Sequence, residues 1–254
     1  MATGATVANG NAPGRIPRGA GTARMPIHEP VPQRSTMTDK IRFQRLDAAA
    51  YDTLVAGGRV IEADHHGAKL IALGDGNYLK LFRRKRLLSS ALMRPYSWRF
   101  QRNALRLARL GIPTVAPEAL LRVPHLHRTA VVYRPLAGLT LRARLRDSSA
   151  PAPLIEGFGC FLGELHRRGV YFRSLHFGNL VVGDAGAFGL IDVADLEFRN
   201  APLSSALVVR NLRHLLRYPE DGNQVRAALA AFQRGYGQSR QALPAAASAL
   251  LAAH

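Results

Sequence analysis

Two pairs of short apolar runs, each interrupted by a tight turn, constrain the fold of this chain more than any other feature. The first pair is Lys69–Leu73 and Tyr78–Phe82, joined by a Gly-Asp-Gly-Asn turn. The second pair is Asn179–Val182 and Phe188–Ile191, joined by a Gly-Asp-Ala-Gly turn. Because Gly, Asp and Asn readily adopt the backbone conformations that tight turns require, each pair predicts a β-hairpin.

The segment between the two hairpins has both helical and strand patterns. Apolar residues recur at helical spacing from Trp98 to Leu110, and Gly111 ends the pattern. The runs Glu118–Val123 and Thr129–Tyr133 are typical of strands. The first folded part therefore reads strand, strand, helix, strand, strand.

The second half of the chain is predicted to be mostly helical. Residues 139–145 have a helical pattern, and residues 148–153 are typical of a loop. Apolar residues from Leu154 to Leu165 lie on one helical face, and Gly169 ends this helix after a basic last turn. The remainder, Ser204–His254, is helical in pattern. Antiparallel hairpins and separate helices together predict an α+β fold.

The first residues of the chain differ from the rest. Residues 1–36 are rich in Gly, Ala, Pro and Thr without periodicity, which predicts a disordered extension.

The whole chain is 47% hydrophobic, as expected of a globular protein, and its one cysteine, Cys160, excludes an intramolecular disulfide. No apolar run approaches the roughly 20 residues that a membrane-spanning helix needs, and the first residues lack the pattern of a secretory signal. We therefore expect a cytoplasmic location.

The charge balance predicts an anionic partner. Lys and Arg number 35 against 17 Asp and Glu, which gives a formal net charge of +18. Such a chain attracts polyanions such as nucleic acid, an anionic membrane or a phosphorylated glycolipid. The basic stretch that begins at Arg83 and continues to Arg109 could dock such a partner, or it could be a solvated face. An arginine excess that reflects only the composition of the genome is a further alternative.

Three residues in order along the chain have the chemistry that phosphoryl transfer requires, namely a cation for the phosphates and oxygen ligands for a metal. Lys80 interrupts an apolar strand, where an ammonium must reach either water or an anion. Asn179 and Asp192 flank the second hairpin. An edge-strand lysine that extends to solvent and a plain turn aspartate are the alternative interpretations of Lys80 and Asp192.

The segment Ser174-Leu-His-Phe-Gly-Asn179, followed by Asp192 after a hairpin, resembles the catalytic loop and metal-binding aspartate of kinases. Sugar and antibiotic kinases carry Asp-Leu-His-x-x-Asn at this place. The resemblance extends over about residues 60 to 200, through Tyr78–Lys85, Leu110–Thr114 and Val131–Leu136. Over this length the chain resembles the Kdo/WaaP-type lipopolysaccharide kinases, which are a branch of the protein-kinase-like fold.

The resemblance implies a two-lobed protein-kinase-like fold. A small antiparallel β lobe with one main helix would comprise residues 37–135, and a larger, mostly helical lobe would comprise residues 136–254. It also implies ATP and Mg²⁺ as cofactors, with Lys80 on the α- and β-phosphates and with Asn179 and Asp192 on the metal. Gly67 would let the backbone approach the phosphates, and the connection Val131–Pro135, which includes Tyr133, would offer backbone groups to adenine.

The sequence also departs from the kinase pattern. Ser174 replaces the catalytic aspartate, and a serine hydroxyl cannot accept the proton of an acceptor hydroxyl as a carboxylate would. His176 and Asp195 are the nearby groups that could act instead, although a structural hydrogen bond is the alternative role for His176. The helix that normally offers a glutamate to the lysine has Asn103, which predicts at best a neutral hydrogen bond.

Two functions remain open on this basis. The first is an ATP-dependent phosphotransferase that acts on a sugar hydroxyl of lipopolysaccharide core, Kdo or heptose, with peripheral contact at the anionic inner membrane face. The second is a pseudokinase, a nucleotide-binding or scaffold regulator of envelope biogenesis, and Ser174 is the feature that separates the two. A nucleic-acid partner is not expected, because it leaves the spacing of Asn179 and Asp192 unexplained.

Overall fold

The computed structural model describes residues 42–83, 95–239 and 242–253, in which helices combine with largely antiparallel sheets. The α+β class predicted from the sequence is confirmed. All of these residues belong to one compact unit, residues 37–254. The predicted extension at residues 1–36, and residues 84–94 of the basic stretch, lie outside the described residues. The predicted division into residues 37–135 and 136–254 stays a prediction.

The largest sheet has six strands and comes from the first part of the chain. Its strands are β1 (Gln44–Arg45), β2 (Arg59–Asp64), β3 (Gly67–Ala72), β4 (Tyr78–Arg83), β5 (Ala116–Val123) and β6 (Arg128–Arg134). They lie in the order β1-β5-β6-β4-β3-β2. Strand β1 runs parallel to β5, and the other neighbouring pairs are antiparallel. The predicted first hairpin is β3–β4, in which Leu70 pairs with Lys80.

The two faces of this sheet are covered by two helices, α1 (Ala48–Val55) and α2 (Tyr96–Arg109). Tyr51 and Leu54 of α1 pack against one face, where Leu79 and Leu81 are buried. On the other face Phe100 of α2 packs against Val131 and Tyr133 in the larger core. Since β6 is covered on both faces, it reads in the sequence as an unbroken apolar run, which is why it could be predicted.

The predicted order strand, strand, helix, strand, strand was incomplete, because β1, α1 and β2 precede β3. Strand β2 lies at the edge of the sheet and is almost fully exposed, so it lacks the apolar alternation of a half-buried strand. Its pairing with β3 is irregular, with shifts of register on both sides of Glu62. The short helix α1 begins at Asp47, whose side chain accepts a hydrogen bond from the backbone of Ala50 at 2.8 Å.

The second part of the chain is mostly helical, with small sheets inserted. Its strands are β7 (Leu139–Thr140), β8 (Val170–Phe172), β9 (Leu180–Val182), β10 (Phe188–Leu190) and β11 (Leu196–Phe198). Its helices are α3 (Leu141–Arg146), α4 (Pro151–Arg167), α5 (Ser205–Leu215), α6 (Pro219–Ala227), α7 (Leu229–Ser239) and α8 (Ala245–Ala252). The predicted second hairpin is β9–β10, and β7 adds to its edge.

The structure corrects two boundaries in this part. Leu139 and Thr140 form a strand that pairs with β9, and α3 begins only after Thr140, whose hydroxyl accepts from the backbone of Ala143. Helix α4 begins at Pro151, within the predicted loop, because proline has the backbone angle that the first helical position requires. The three-residue strands β8 and β11 were not predicted, since runs this short have no readable period.

Helices α4 and α7 approach each other closely because glycines face each other along the contact. A Cβ atom added at Gly235 would overlap the main-chain oxygen of Glu156, and one added at Gly159 would overlap that of Phe232. A Cβ atom at Gly237, two residues further along α7, would meet nothing within 4 Å. The same helix therefore has one glycine that packing requires and one that it does not.

We predict opposite effects for two alanine substitutions in α7. Gly235→Ala forces the helices apart and lowers the free energy of unfolding by about 1–3 kcal/mol, the usual cost of overpacking. Gly237→Ala improves helix propensity and raises it by up to about 1 kcal/mol. Urea denaturation of the two variants measures both changes. Equal effects of the two substitutions would contradict the close packing of α4 on α7.

Candidate functional site

The structure brings Lys80 and Asp192 together. The Nζ atom of Lys80 lies 2.8 Å from Oδ1 of Asp192, and the two side chains are 17% and 44% exposed. Lys80 lies on the face of β4 that faces α2, and its ammonium is 5.9 Å from the ring of Phe82 and 6.0 Å from that of Phe100. Asp192 follows β10 and ends the second hairpin. The cation from one sheet therefore meets the carboxylate from another.

The backbone of Asp192 adopts the left-handed conformation, with φ 51° and ψ 50°. Asp tolerates this region better than most residues, because its short polar side chain can bond locally. In this conformation the chain leaves β10 in a sharp turn and enters the short 3₁₀ segment Val193–Asp195. The turn places the carboxylate beside Lys80, and a bulky or β-branched residue could not take this place without strain.

Asn179 lies next to this pair. Its main-chain oxygen accepts a hydrogen bond of 3.0 Å from the backbone of Ile191, the residue before Asp192. Its side-chain nitrogen donates to the main-chain oxygen of Ser174 at 3.0 Å. Because the nitrogen end of the amide is used in this way, the oxygen Oδ1 is the end that is left for a metal. The main chain thus places Asn179 one hydrogen bond from the residue before Asp192, and the role of its side chain as a metal ligand stays a prediction.

The hydroxyl of Ser174 lies beside the carboxylate of Asp195. This hydroxyl donates to Oδ2 of Asp195 at 3.4 Å, and Oδ1 of Asp195 lies 3.6 Å from the guanidinium of Arg99. Asp195 reaches this place because the turn after Asp192 folds back over the loop that contains Ser174. A carboxylate from a different segment therefore lies beside Ser174.

His176 makes a local structural contact. Its Nδ1 accepts a hydrogen bond of 3.1 Å from the backbone of Gly178, and its ring lies 4.5 Å from that of Tyr218. Burial and the nearby guanidinium of Arg142 hold the pKa of His176 below its usual value. The imidazole is therefore neutral at pH 7, as its acceptor role requires.

Gly67 and Tyr133 both lie in the six-stranded sheet, at the start of β3 and near the end of β6. Gly67 begins β3 after the turn that follows β2, with φ 99°, and the atom nearest to a Cβ added there belongs to Arg128, at 3.9 Å. Tyr133 is buried in β6 with its ring 5.3 Å from that of Phe100, and burial together with the charge of Asp192 raises its pKa. Because β6 continues through Arg134, the backbone from 131 to 134 belongs to the sheet, and the connection to the next element begins at Pro135.

Asn103 has a role that the sequence did not predict. Its side-chain nitrogen donates to the main-chain oxygens of Val193 at 2.8 Å, Ala194 at 3.3 Å and Leu196 at 3.1 Å. Helix α2 thus holds the turn after Asp192, whereas the sequence predicted at best a hydrogen bond to Lys80. No periodic or motif signal could have revealed this contact, since it joins residues about ninety positions apart.

Two further buried polar groups fix the loop that carries Ser174 and Asn179. Asp221, only 1% exposed, accepts from the backbone of Phe177 at 2.7 Å and from Arg142 at 3.1 and 2.9 Å. Asn211 donates to the main-chain oxygen of Phe172 at 2.6 Å and bonds Nε2 of His166 at 2.9 Å. Asp221 resembles an ordinary acidic residue of a first helical turn, so no pattern along the chain singles it out.

The basic residues of α2 pack on aromatic rings. The guanidinium of Arg99 lies 5.0 Å from the ring of Tyr96, and that of Arg102 lies 4.9 Å from the ring of Trp98. Phe100, between them, is fully buried. Cation–π contacts of this kind hold arginine side chains along a helix and leave less ring surface for stacking on bases.

Within residues 42–83, 95–239 and 242–253, no helix is long and apolar enough to cross a membrane. The same part of the chain contains no group of three or more His, Cys, Asp or Glu side chains that could hold a metal ion by themselves. A metal held by Asn179 and Asp192 would therefore need ligands from a phosphate or from water, as is usual for Mg²⁺.

Comparisons with known proteins give weak likenesses. No protein-family model matches the chain, and no curated protein is similar to it. Among solved structures, the bifunctional kinase-methyltransferase WbdD is similar with a TM-score of 0.44 and 14% identity, over 71% of this chain and 44% of that one. Monomeric WbdD is similar with a TM-score of 0.43 and 14% identity, over 65% and 45%. The chain spans less than half the length of these structures, and likenesses this low assign neither fold nor function.

We predict that Asn103 stabilises the turn after Asp192. Asn103→Leu keeps the branched shape of the side chain but leaves buried carbonyls without a donor, so the free energy of unfolding falls by about 1–3 kcal/mol. The control is Asn223→Leu at an exposed position of α6, where we expect a change of less than about 0.5 kcal/mol. Thermal or urea denaturation measures both. A stable Asn103→Leu protein would show that these hydrogen bonds contribute little.

Proposed function

We propose that this chain is an ATP-dependent phosphotransferase with the two-lobed architecture of kinases. The observation that supports it best is the ion pair between Lys80 and Asp192 beside the oriented amide of Asn179. A cation and two oxygen ligands in one place are what a metal-bound triphosphate requires. The proposed lobes are residues 37–135, which contain the six-stranded sheet and α2, and residues 136–254, which contain the other helices.

Each residue has a proposed role in this reaction. Lys80 binds the α- and β-phosphates, which means that its ammonium exchanges part of its contact with Asp192 for phosphate oxygens. Asn179 and Asp192 hold Mg²⁺, which when bound neutralises charge on the phosphates. The connection that follows Tyr133 and the end of β6, from Pro135 to Gly138, offers backbone groups to adenine. Gly67 allows the turn between β2 and β3 to approach the phosphates.

Asp195 is the proposed general base. Its carboxylate accepts a hydrogen bond from Ser174 and is held by Arg99, so it is oriented. In the transfer step the oxygen of the acceptor hydroxyl forms a bond to the γ-phosphorus, the bond from that phosphorus to the β-phosphate oxygen breaks, and the hydroxyl proton passes to Asp195. His176 is less suited to this step, because its Nδ1 is already used by Gly178.

The proposed acceptor is a sugar hydroxyl of lipopolysaccharide core, presented at an anionic membrane surface. The resemblance of Leu175-His-x-x-Asn179 and its flanking segments to lipopolysaccharide kinases supports this choice. The net charge of +18 agrees with a phosphorylated acceptor, since basic residues near an anionic leaflet contribute about 1 kcal/mol each to binding. A cytoplasmic location with peripheral contact at the inner membrane follows from the same proposal.

A pseudokinase is the second candidate, and Ser174 is the observation that favours it. Without a carboxylate at this position the chain could bind nucleotide and transfer nothing. Because metal and positioning supply most of the acceleration in phosphoryl transfer, the loss of one base need not abolish the activity. Transfer assays on purified protein with labelled ATP, Mg²⁺ and lipopolysaccharide core oligosaccharide decide between the two.

We predict that nucleotide binding depends on Lys80. Lys80→Ala weakens binding of Mg²⁺–ATP by about tenfold or more, because a charge-assisted contact to phosphate is lost. Lys69→Ala, in the neighbouring strand, is the matched control, since Lys69 pairs with Glu62 and Asp64 at the surface. Calorimetry in the presence and absence of Mg²⁺ measures both. Absence of Mg²⁺–ATP binding by the unaltered chain would exclude both ATP-based functions.

We predict that transfer depends on Asp195. Asp195→Asn lowers the transfer rate by about 100-fold or more and leaves ATP affinity unchanged, as expected when a base is removed. Asp184→Asn, in the exposed turn between β9 and β10, is the control. If Asp195→Asn transfers normally, the base lies elsewhere. If the unaltered chain transfers nothing and Ser174→Asp restores transfer, the pseudokinase is the better description.

A further inference from the structure

A pocket lies on the face of the six-stranded sheet that is opposite to Lys80. Side chains alternate between the two faces along a strand, so Lys80 faces α2 whereas Leu81 and Arg83 face α1. The pocket, of about 410 Å³, lies between α1, the turn after β2, the end of β4 and the turn before β6. Its lining includes Tyr51, His66, Arg83, His127 and Arg128.

The polar groups of this pocket are nearly all cationic or able to become so. No acidic residue lines it, and within the described residues no carboxylate forms an ion pair with Arg83 or Arg128. The acids of the neighbouring strand, Glu62 and Asp64, are paired with Lys69 instead. The pocket therefore has a positive charge that the described part of the chain does not balance.

Arg128 is the group of this pocket that most needs a counter-ion, because it is only 8% exposed. Its guanidinium donates to the main-chain oxygens of His66 and Ala68, which orients it and ties the turn after β2 to β6. These neutral acceptors satisfy hydrogen bonds but do not neutralise a buried charge, which is costly without a counter-ion. If Arg128 only supported the turn, its two hydrogen bonds would be explained, but its positive charge would still lack a counter-ion.

His66, in the turn after β2, lies in the same positive electrostatic environment. Desolvation and the charges of Arg83 and His65 hold the pKa of His66 below its usual value. His127, in the turn before β6, has a left-handed backbone with φ 51°, and this turn closes the other side of the pocket. An anion bound here would offset the repulsion that Arg83 and Arg128 exert on His66.

We propose that this pocket binds the phosphate monoester of a small organic molecule. A phosphate dianion can accept from several cations at once, and arginine recognises it with two parallel hydrogen bonds. The volume exceeds that of inorganic phosphate, and Tyr51, Leu81 and Leu126 supply a less polar wall for the organic part. The site lies on the face of the sheet opposite to Lys80, and it shares only Gly67 with the residues proposed for phosphotransfer.

The ligand chemistry could come from a soluble sugar phosphate or from a lipid headgroup. The experiment therefore measures binding of the full chain to glucose 1-phosphate, to inorganic phosphate, and to phosphatidylcholine vesicles with and without phosphatidic acid. We expect Arg83→Ala to weaken binding of the phosphate monoester by about tenfold or more and Arg83→Lys to weaken it less. Binding confined to the vesicles identifies a headgroup, and binding confined to the soluble probes identifies a sugar phosphate.

Two control variants make the result specific. Arg213→Ala, at an exposed position of α5, removes the same charge far along the chain and should leave binding unchanged. Lys80→Ala should also leave it unchanged, since Lys80 lies on the opposite face of the sheet. Equal losses in Arg83→Ala and Arg213→Ala would mean general attraction to a chain of high positive charge and overturn the proposal. Loss of monoester binding in Lys80→Ala, or no binding of any probe by the unaltered chain, would overturn the proposal as well. Unchanged midpoints of unfolding verify that the variants are folded.

Discussion

The ion pair between Lys80 and Asp192 is the interaction around which the candidate site is built. It joins β4 of the large sheet to the end of the second hairpin, and it holds two opposite charges that are partly shielded from water. Partial exposure matters here, because a fully buried pair would resist separation, whereas an exposed pair would be screened by salt. A half-shielded pair can hold the two segments together and still be open to exchange with another anion or cation.

Buried polar side chains hold the main chain around this ion pair. Asn103 fixes the turn after Asp192, Asn211 fixes the strand before Ser174, and Asp221 fixes the backbone of Phe177. Each of them is buried and comes from a helix that is remote in sequence. Because an unpaired buried carbonyl or amide costs about 1–3 kcal/mol, these contacts favour one geometry of the loops over its alternatives. The loops that carry the charged residues of the site are thus held by other side chains.

The sequence predicted the parts of this molecule that have a local signature. Both hairpins were predicted from turn chemistry, and the helices α2 and α4 from apolar periodicity, to within a few residues. Exposed strand β2 and three-residue strands such as β8 have no such signature, since their pairing depends on neighbours from elsewhere in the chain. The approach of Lys80 to Asn179 and Asp192 was expected only through a family pattern. Asn103, Asp195 and Asp221 acquire their roles through contacts that no short segment specifies.

The irregular pairing of β2 with β3 has a consequence for the behaviour of the molecule in concentrated solution. An outer strand with free backbone groups can act as a template on which another chain adds its own strand. Here the shifts of register around Glu62 interrupt the ladder, and the charged side chains of Arg59 and Glu62 flank the exposed Val60 and Ile61. A second molecule would meet a twisted, charged border instead of a flat apolar one, so this border resists strand addition between molecules and favours a chain that stays dispersed.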